Sequence, residues 1–328
     1  MQITNTKRRF LRGASALLAA SLFALPMQAS HAQASYVRLV IAFPPGGSSD
    51  VLARAFGEQL GKVLGKTVVV ENRPGGNGAI AAQNVIHSEP NGETLWLTTS
   101  GAVVINPVLY PKLSYDMNAL QPVSLVANVD EVLVVNKDNP ANDPEAFVKR
   151  AKADENARAI ASSGIGSMPH MAVALFSDAT GVPFLHVPMK GAAPAVAAVI
   201  GKHVEGFFGD ISAVLPQVQG GSLKAIGIGA QKRNPLFPEV KTFEELGYKG
   251  IELNNWSAIF VSKNVPAKTV DALNQAIRKA VASPELKKIL APMGIDLQAS
   301  SPAEMSAMVE HDLQKWKQVI VKHDIKPE

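Results

Sequence analysis

The sequence contains no cysteine, which excludes disulfide bonds, thiolate nucleophiles and cysteine metal sites. Aromatic residues make up only 6% of its 328 residues. After residue 34 no apolar run approaches the roughly 20 residues that a membrane-spanning helix needs. The seven histidines form no H-E-x-x-H motif or other close ligand pair. The sequence therefore predicts no metal site and no cofactor, and no nucleophile, base and orienting acid can be assembled from its spacing.

Excess positive charge is also missing, although the pI is about 9.1. Residues 1 to 34 hold four of the 32 basic residues and none of the 28 acidic ones, so the remainder carries 28 of each sign. The only basic clusters in that remainder are pairs such as Lys232-Arg233 and Lys287-Lys288. Binding to nucleic acid needs a basic face on the folded domain, so no nucleic-acid partner is expected.

Residues 1 to 34 have the three parts of an export signal. Four basic residues between positions 7 and 12 precede an apolar region from Ala14 to Leu25, and Ala32-Gln33-Ala34 forms an A-x-A cleavage site. The apolar region is too short to span a bilayer. The basic segment also resembles a twin-arginine signal with Lys7 in the first basic place. We therefore expect a signal peptide over 1–34, a mature chain that begins at Ser35, and export by the general secretory or the twin-arginine route.

Short β-branched segments alternate with amphipathic ones along the mature chain. This alternation predicts an α/β fold with a largely parallel sheet. Strands are expected near residues 37–42, 67–71, 94–98, 131–136, 158–162, 184–187, 204–208, 224–229 and 257–261. Helices are expected near residues 50–64, 78–88, 143–153, 169–180, 192–200, 212–219, 267–282, 284–292 and 302–324.

The C-terminal segment has several predicted helices and little sheet, so it cannot build an α/β core alone. We expect it to pack back on the first half of the chain. This predicts one lobe from residues 35–134 plus 257–328 and a second lobe from residues 135–256. Two crossovers, near residues 134 and 256, would form the hinge.

The first candidate site is a glycine-rich turn between the first strand and the first helix, here called the first turn (Phe43–Asp50). Its candidate residues are Gly46, Gly47, Ser48 and Asp50. Glycines allow close ligand approach, Ser48 or Ser49 is expected to cap the helix, and fresh helix N–H groups attract anions. The spacing does not fit a phosphate-binding loop. An ordinary capped turn is the alternative interpretation.

A second serine- and glycine-rich turn follows a later strand and also opens a helix; it is called the second turn (Ser162–His170). Its candidate residues are Ser162, Gly164, Gly166, Ser167 and His170. Pro169 stands where a dinucleotide fingerprint needs its third glycine, and the serines lack the G-x-S-x-G context of a hydrolase. His170 either bonds a ligand or caps the turn. Two such turns suggest a carboxylate held between two lobes.

Two further strand ends carry candidate residues, because α/β sheets bind ligands at the carboxyl ends of their strands. Met189, Lys190 and Gly191, the third turn, follow one strand, and Asp210 ends another. Met189 offers a soft apolar surface. Lys190 either adds a positive charge for an acid or is an ordinary exposed lysine.

At these turns the chain resembles the Bug (TctC-like) family of substrate-binding proteins of tripartite tricarboxylate transporters. The segments that carry the resemblance are Ile41–Asp50, Val70–Gly78, Asn106-Pro107, Ser162–His170, His186–Pro188 and Arg233–Trp256. The resemblance implies two α/β lobes in a Venus flytrap of the periplasmic binding protein type II class. It also implies a periplasmic, monomeric, non-catalytic receptor that passes a small carboxylic acid to the permease subunits of such a transporter.

The resemblance further implies which residues bind. Backbone N–H groups and waters at the first turn would hold the carboxylate, and Phe43 and Pro45 of that turn would join the site. Ser100 and Gly101 would lie beside them, and the second turn and Asp210 would face them from the other lobe. Met189 stands where the family usually has tyrosine, so we expect a less polar acid, such as an aromatic or aliphatic dicarboxylate, rather than an amino acid or citrate. A sensor without transport and an exported α/β hydrolase stay open as alternatives.

Overall fold

The structure is a computed structural model that describes residues 36–327. The predicted signal peptide, its cleavage site and Ser35 lie outside the described residues. The strands are β1 (Val37–Ile41), β2 (Val68–Asn72), β3 (Thr94–Thr99), β4 (Leu120–Asn136), β5 (Ala159–Ser162), β6 (Leu185–Pro188), β7 (Gly206–Asp210), β8 (Leu223–Ile228), β9 (Asn254–Ser262) and β10 (Ile295–Leu297). Within residues 36–327 we find no helix whose length and apolar content would let it cross a membrane.

The helices alternate with these strands in the first two thirds of the described chain and then dominate its end. They are α1 (Ser48–Leu64), α2 (Ala79–Ile86), α3 (Asn106–Leu109), α4 (Pro144–Ala153), α5 (Met168–Thr180), α6 (Ala192–Ile200), α7 (Ile211–Gln219), α8 (Ala267–Val281), α9 (Pro284–Leu290) and α10 (Pro302–Lys322). A π-helical turn, Gly101–Ile105, precedes α3. The alternation that the sequence predicts is therefore present.

The strands pair in the order β2-β1-β3-β9-β4-β7-β5-β6, and β8 and β10 pair with β4 as well. The outer groups are parallel: β1 pairs with β2 and β3, and β5 pairs with β6 and β7. The central strands β9 and β4 are antiparallel to their neighbours. A largely parallel sheet was therefore the wrong expectation for the centre, because β9 and β4 carry the chain back and forth between the two groups.

The long strand β4 joins the two groups. Its first half pairs with β9 and β10, and its second half pairs with β7 and β8. Only residues 131–136 were predicted as strand. The pairing with β9 shifts register between Pro122 and Ser124 and again between Leu125 and Ala127, and such bulges break the alternation that identifies a strand.

The core consists of buried apolar side chains on both sides of β4. Phe56 of α1 belongs to a cluster with β1 and α8, and Phe207 of β7 belongs to a cluster with α6 and α7. The largest cluster includes Trp96 of β3, Phe176 of α5 and Trp316 of α10. Because α10 contacts the π-helical turn and α3 as well as α5, the assignment of the C-terminal helices to the first lobe stays a prediction.

Candidate functional site

The carboxyl ends of the parallel strands run toward one another and meet along the middle of β4. Thr99, at the end of β3, pairs with Ser257 of β9, which pairs with Ala127 of β4. From the opposite direction, Asp210 at the end of β7 pairs with Glu131 of β4. A separation of four strand residues is about 13 Å. The turns that follow these strands therefore converge on one region, where α/β sheets bind ligands.

The buried carboxylate of Asp50 fixes the first turn through hydrogen bonds. Asp50 is 4% exposed, and its Oδ2 accepts hydrogen bonds from the Gly46 N–H at 3.0 Å and from Arg54 Nε at 2.9 Å. Its Oδ1 accepts from Asn72 Nδ2 at 2.8 Å and from Arg54 Nη2 at 2.9 Å. The hydrogen bonds from Arg54, Asn72 and Gly46 lower the pKa of Asp50 to about 2 against the opposing effect of burial. Asp50 is thus satisfied within the chain and fixes the turn.

The backbone of the first turn leaves donors free. Gly47 is the N-cap of α1, and no side chain caps this helix. The expectation that Ser48 or Ser49 caps it is wrong, because both serines lie inside the first helical turn. Among the described residues no acceptor meets the N–H of Gly47, Ser48 or Ser49. A Cβ on Gly46 or Gly47 would meet nothing within 4 Å, so an anion can approach the positive end of the helix.

Ser100 and Gly101 lie on the neighbouring strand end, since β3 pairs with β1. Ser100 is fully buried, and its Oγ donates to Asn255 Oδ1 at 3.1 Å. Asn255 Nδ2 in turn donates to Asp210 Oδ1 at 2.9 Å. A hydrogen-bonded path therefore connects the end of β3 with the end of β7. This path brings together two candidate residues that the sequence placed in different lobes.

The second turn uses its polar groups internally. Ser167 caps α5, because its Oγ accepts from the His170 N–H at 3.3 Å and donates to the Gly164 carbonyl at 2.7 Å. The Gly166 N–H donates to His170 Nδ1 at 3.2 Å. Gly164 and Gly166 have φ of 129° and 75°, which explains why glycine occupies both positions. His170 therefore holds the turn closed.

A stacked histidine pair stiffens the same turn. The rings of His170 and His186 are 3.6 Å apart with 9° between their planes, and His186 Nε2 lies 2.6 Å from Ser162 Oγ. Burial lowers the pKa of His170 to about 3, helped by repulsion from His186, and burial lowers the pKa of His186 to about 4. Both rings are neutral at pH 7. Ser162 is fully buried and also bonded to Gly164, so the contact offers no accessible nucleophile.

The third turn is tied to the second by backbone hydrogen bonds. The Met189 N–H donates to the Ser162 carbonyl at 3.1 Å, and the Gly191 N–H donates to the Ser163 carbonyl at 3.2 Å. Met189 packs partly against the apolar cluster of α6 and α7, whereas Lys190 is exposed. The structure thus groups the second turn, the third turn and Asp210 at adjacent strand ends, and groups the first turn with Ser100 and Gly101.

Sequence analysis missed several side chains that hold these turns in place: Arg54, Asn72, Glu131, His186 and Asn255. The i,i+4 spacing of Asp50 and Arg54 on a helix is a usable signal of an ion pair. The others contact their partners across strands or between turns that are distant in sequence. No local pattern marks such contacts.

A separate cavity of about 1470 Å³ lies on the other face of the central strands. It is lined by Asn128 and Asp130 of β4 and by Asn254 and Trp256 of β9, and it contains none of the predicted site residues. Side chains alternate between the faces of a strand, so Glu131 and Asn255 point away from it. Within residues 36–327 no cluster of three or more histidine, aspartate or glutamate residues is arranged to hold a metal ion.

Comparison with known proteins identifies the family and the fold. The family model described as tripartite tricarboxylate transporter family receptor matches residues 52–325. The periplasmic binding protein BugD is 28% identical with a TM-score of 0.77, covering 89% of this chain and 98% of that structure. Two structures from Rhodopseudomonas palustris are similar as well. Rpa4515 with adipate is 28% identical with a TM-score of 0.80, covering 89% of this chain and 98% of that structure. MatC with bound malate is 27% identical with a TM-score of 0.75, covering 87% of this chain and 98% of that structure. The mixed α/β fold is therefore that of two-lobed periplasmic binding proteins.

Proposed function

This chain belongs to the family of tripartite tricarboxylate transporter receptors, and we propose that it captures a small carboxylic acid in the periplasm. The bound acid is delivered to the permease subunits of such a transporter. The observation that carries this proposal is the row of free N–H donors at the start of α1, placed where two sets of strand ends converge. MatC with malate and Rpa4515 with adipate support a small dicarboxylate as the ligand.

The two groups of strands joined by β4 form the lobes of this receptor. One lobe takes residues 35–134 plus 257–328, and the other takes residues 135–256. β4 and the return from β8 to β9 cross between them and act as the hinge. Support comes from the pairing of β4, whose halves belong to different groups of strands. Closure of the hinge brings the second and third turns over the first.

Uncharged backbone N–H groups bind the ligand carboxylate. The N–H groups of Gly47, Ser48 and Ser49 donate to it, and each hydrogen bond to a charged acceptor contributes about 1.5–3 kcal/mol. Arg54 already donates two hydrogen bonds to Asp50, so the ligand carboxylate is held by N–H groups and not by a buried cation. Phe43 and Pro45 shape the entrance. Met189 meets the distal part of the ligand, which favours an aliphatic or aromatic dicarboxylate over citrate.

We place no chemical step at this site. The family and the similar structures are solute-binding proteins, and the serine nearest a histidine, Ser162, has no exposed surface. Delivery, rather than sensing, is checked by deleting the gene and following uptake of the identified acid. Lost uptake supports the transport role, and unchanged uptake with a lost transcriptional response supports the sensor.

Calorimetric titration with adipate and malate tests the binding site itself. Gly47 has φ −81° and ψ 170°, an extended conformation that valine adopts readily. The Gly47→Val side chain would cover the free donors, so we expect affinity to fall about tenfold or more, the equivalent of losing one such hydrogen bond. The unfolding midpoint without ligand should fall only slightly, because valine is a poorer N-cap residue than glycine but fits the extended backbone. Ala267→Val, at the exposed start of α8, is the matched control and should bind like wild type. Binding of neither acid, or equal affinity in Gly47→Val, would contradict the proposal.

A further inference from the structure

Glu131 occupies an unusual position in the middle of β4. Its side chain has no accessible surface, and neither Oε1 nor Oε2 meets a donor from the described part of the chain. Its partner across the strand pair is Asp210, another carboxyl group. A buried carboxylate without a donor or a cation is too costly to persist, and such a group takes up a proton instead.

Asp210 of β7 lies opposite Glu131 on the same face of the sheet and adds negative charge. Asp130 precedes Glu131 on β4 and also carries negative charge, but its side chain lies on the other face, where it accepts from Asn234 Nδ2 at 3.0 Å. Within residues 36–327 no lysine, arginine or histidine forms an ion pair with any of these three carboxyl groups. Burial, followed by Asp210 and Asp130, raises the pKa of Glu131 well above its ordinary value.

The remaining elements packed against this position supply no compensating charge. β9 contributes the neutral Asn255, and α7 has no titratable residue. Lys224 of β8 pairs with Val135, toward the far end of β4, and its Nζ donates to Asn142 Oδ1. Within the described part of the chain, the polar partners of Glu131 and Asp210 in this region are therefore each other and the Asn255 amide.

Asp210 connects this carboxyl pair to the candidate ligand site. It is only partly buried, and it accepts from Asn255, which accepts from Ser100 at the end of β3. Two carboxyl groups can hydrogen bond only if one of them carries a proton. Burial raises the pKa of Asp210, whereas bonds from Asn255 and Glu131 lower it, so Glu131 is the protonated member.

We propose that Glu131 is a positioning residue of the ligand site: it keeps a proton at neutral pH, donates it in a hydrogen bond to Asp210, and so fixes the path from Asp210 through Asn255 to Ser100. This role rests on the proposed function, because it concerns the region where the two lobes meet. Loss of the proton places two negative charges side by side near an anionic ligand. Carboxylate binding therefore weakens as the pH rises.

The amide of Glu131→Gln keeps the donor but cannot lose a proton. With adipate and malate as probes, we expect this variant to bind at pH 7 within about threefold of wild type and to hold its affinity up to pH 10, while wild type weakens about tenfold or more. Glu131→Leu, which lacks the donor, should bind about tenfold more weakly at pH 7. The exposed Glu89→Gln is the matched control and should follow wild type at every pH.

Unfolding of the unliganded protein gives a second readout that needs no ligand. The native state holds a proton that the unfolded chain releases above the ordinary glutamate pKa of 4.5, so wild-type stability should fall as pH rises toward the raised pKa. Glu131→Gln should lack this fall. If neither acid binds but the stability profiles differ in this way, the protonated pair stands and the receptor proposal fails.

Coincident stability profiles of wild type and Glu131→Gln between pH 6 and pH 10 would overturn the inference, whatever the ligand data show. If Glu131→Gln does not fold, Asp210→Asn is the second variant: it removes the repulsion from Asp210 but leaves Glu131 buried, so the fall in stability with rising pH should be smaller than in wild type. A fall as large as that of wild type in Asp210→Asn would also overturn the inference.

Discussion

The first and second turns share a serine- and glycine-rich sequence at the end of a parallel strand, yet they are held in opposite ways. The first rests on a charged group, Asp50 with Arg54, and leaves its N–H donors free. The second rests on the neutral pair His170 and His186, and the N–H groups of Gly166, Ser167 and His170 donate to acceptors within the turn itself. The shared sequence thus identifies a strand-to-helix turn, whereas capping differs: Ser167 caps the helix of the second turn, and no side chain caps the helix of the first turn, which leaves its start open to an anion.

The largest expected difference concerns the glycines with positive φ. Gly46 (φ 90°) has open space around it, whereas a Cβ on Gly166 (φ 75°) would collide with Leu109 Cδ2 of α3. Gly46→Ala therefore meets backbone strain alone and should cost about 1 kcal/mol. Gly166→Ala adds overpacking and should cost about 3 kcal/mol. Denaturant unfolding of both variants measures the gap, and equal losses would show that the second turn is as loosely packed as the first.

The next largest difference is the dependence of stability on mildly acidic pH, to which the second turn should contribute and the first should not. Unfolded histidine has a pKa near 6.5, whereas native His170 and His186 titrate at about 3 and about 4, so the unfolded chain binds protons first and stability falls below pH 6.5. Between pH 7 and pH 5 the pair should cost about 2 kcal/mol, after a discount for the partial exposure of His186. His170→Gln should show roughly half that loss.

The first turn should not respond in the same range. Asp50 keeps its contribution until the pH falls below its ordinary pKa of 3.8 toward the native value of about 2. Unfolding of Asp50→Asn at pH 7 and pH 5 should therefore show the same acid loss as wild type. A His170→Gln profile as steep as wild type would contradict the neutral-pair interpretation.

The smallest expected effect on stability comes from removing the charge of Asp50, which fixes the first turn. Asp50→Asn weakens the bonds from Arg54 and should destabilise the protein by about 1.5 kcal/mol. Glu58→Gln, on the exposed side of the same helix, breaks only a surface pair with Lys62 and should change stability by less than about 0.5 kcal/mol. Equal losses in the two variants would mean that Asp50 does not hold the turn.

The alternation of strands and helices was predictable because each element carries its own periodicity. The path of β4 was not, since Pro122 and two register shifts interrupt it. β10 was missed because three residues, Ile295–Leu297, carry too little pattern. The antiparallel centre was missed because strand direction depends on which distant segments pair, and local sequence does not record that.

Some features of the candidate site were also predictable from sequence, and others were not. Glycines and strand ends were visible in sequence because the turns need small residues and the sheet places its carboxyl ends together. The partners of the charged groups were not visible. Asp210 contacts Asn255 and faces Glu131, and only the register of β4 with β7 and β9 brings these three side chains together.

Closure of the two lobes over one carboxylate can be measured with a pair of spin labels, because the chain has no cysteine of its own. Ile80→Cys and Ala193→Cys lie on exposed positions in the first turns of α2 and α6, which follow the carboxyl ends of β2 and β6. Pulsed electron resonance should show a shorter label distance with saturating adipate or malate. The same pair with Gly47→Val should keep the unliganded distance at that concentration. An unchanged distance in labelled protein that calorimetry shows to be fully bound would contradict capture between two closing lobes.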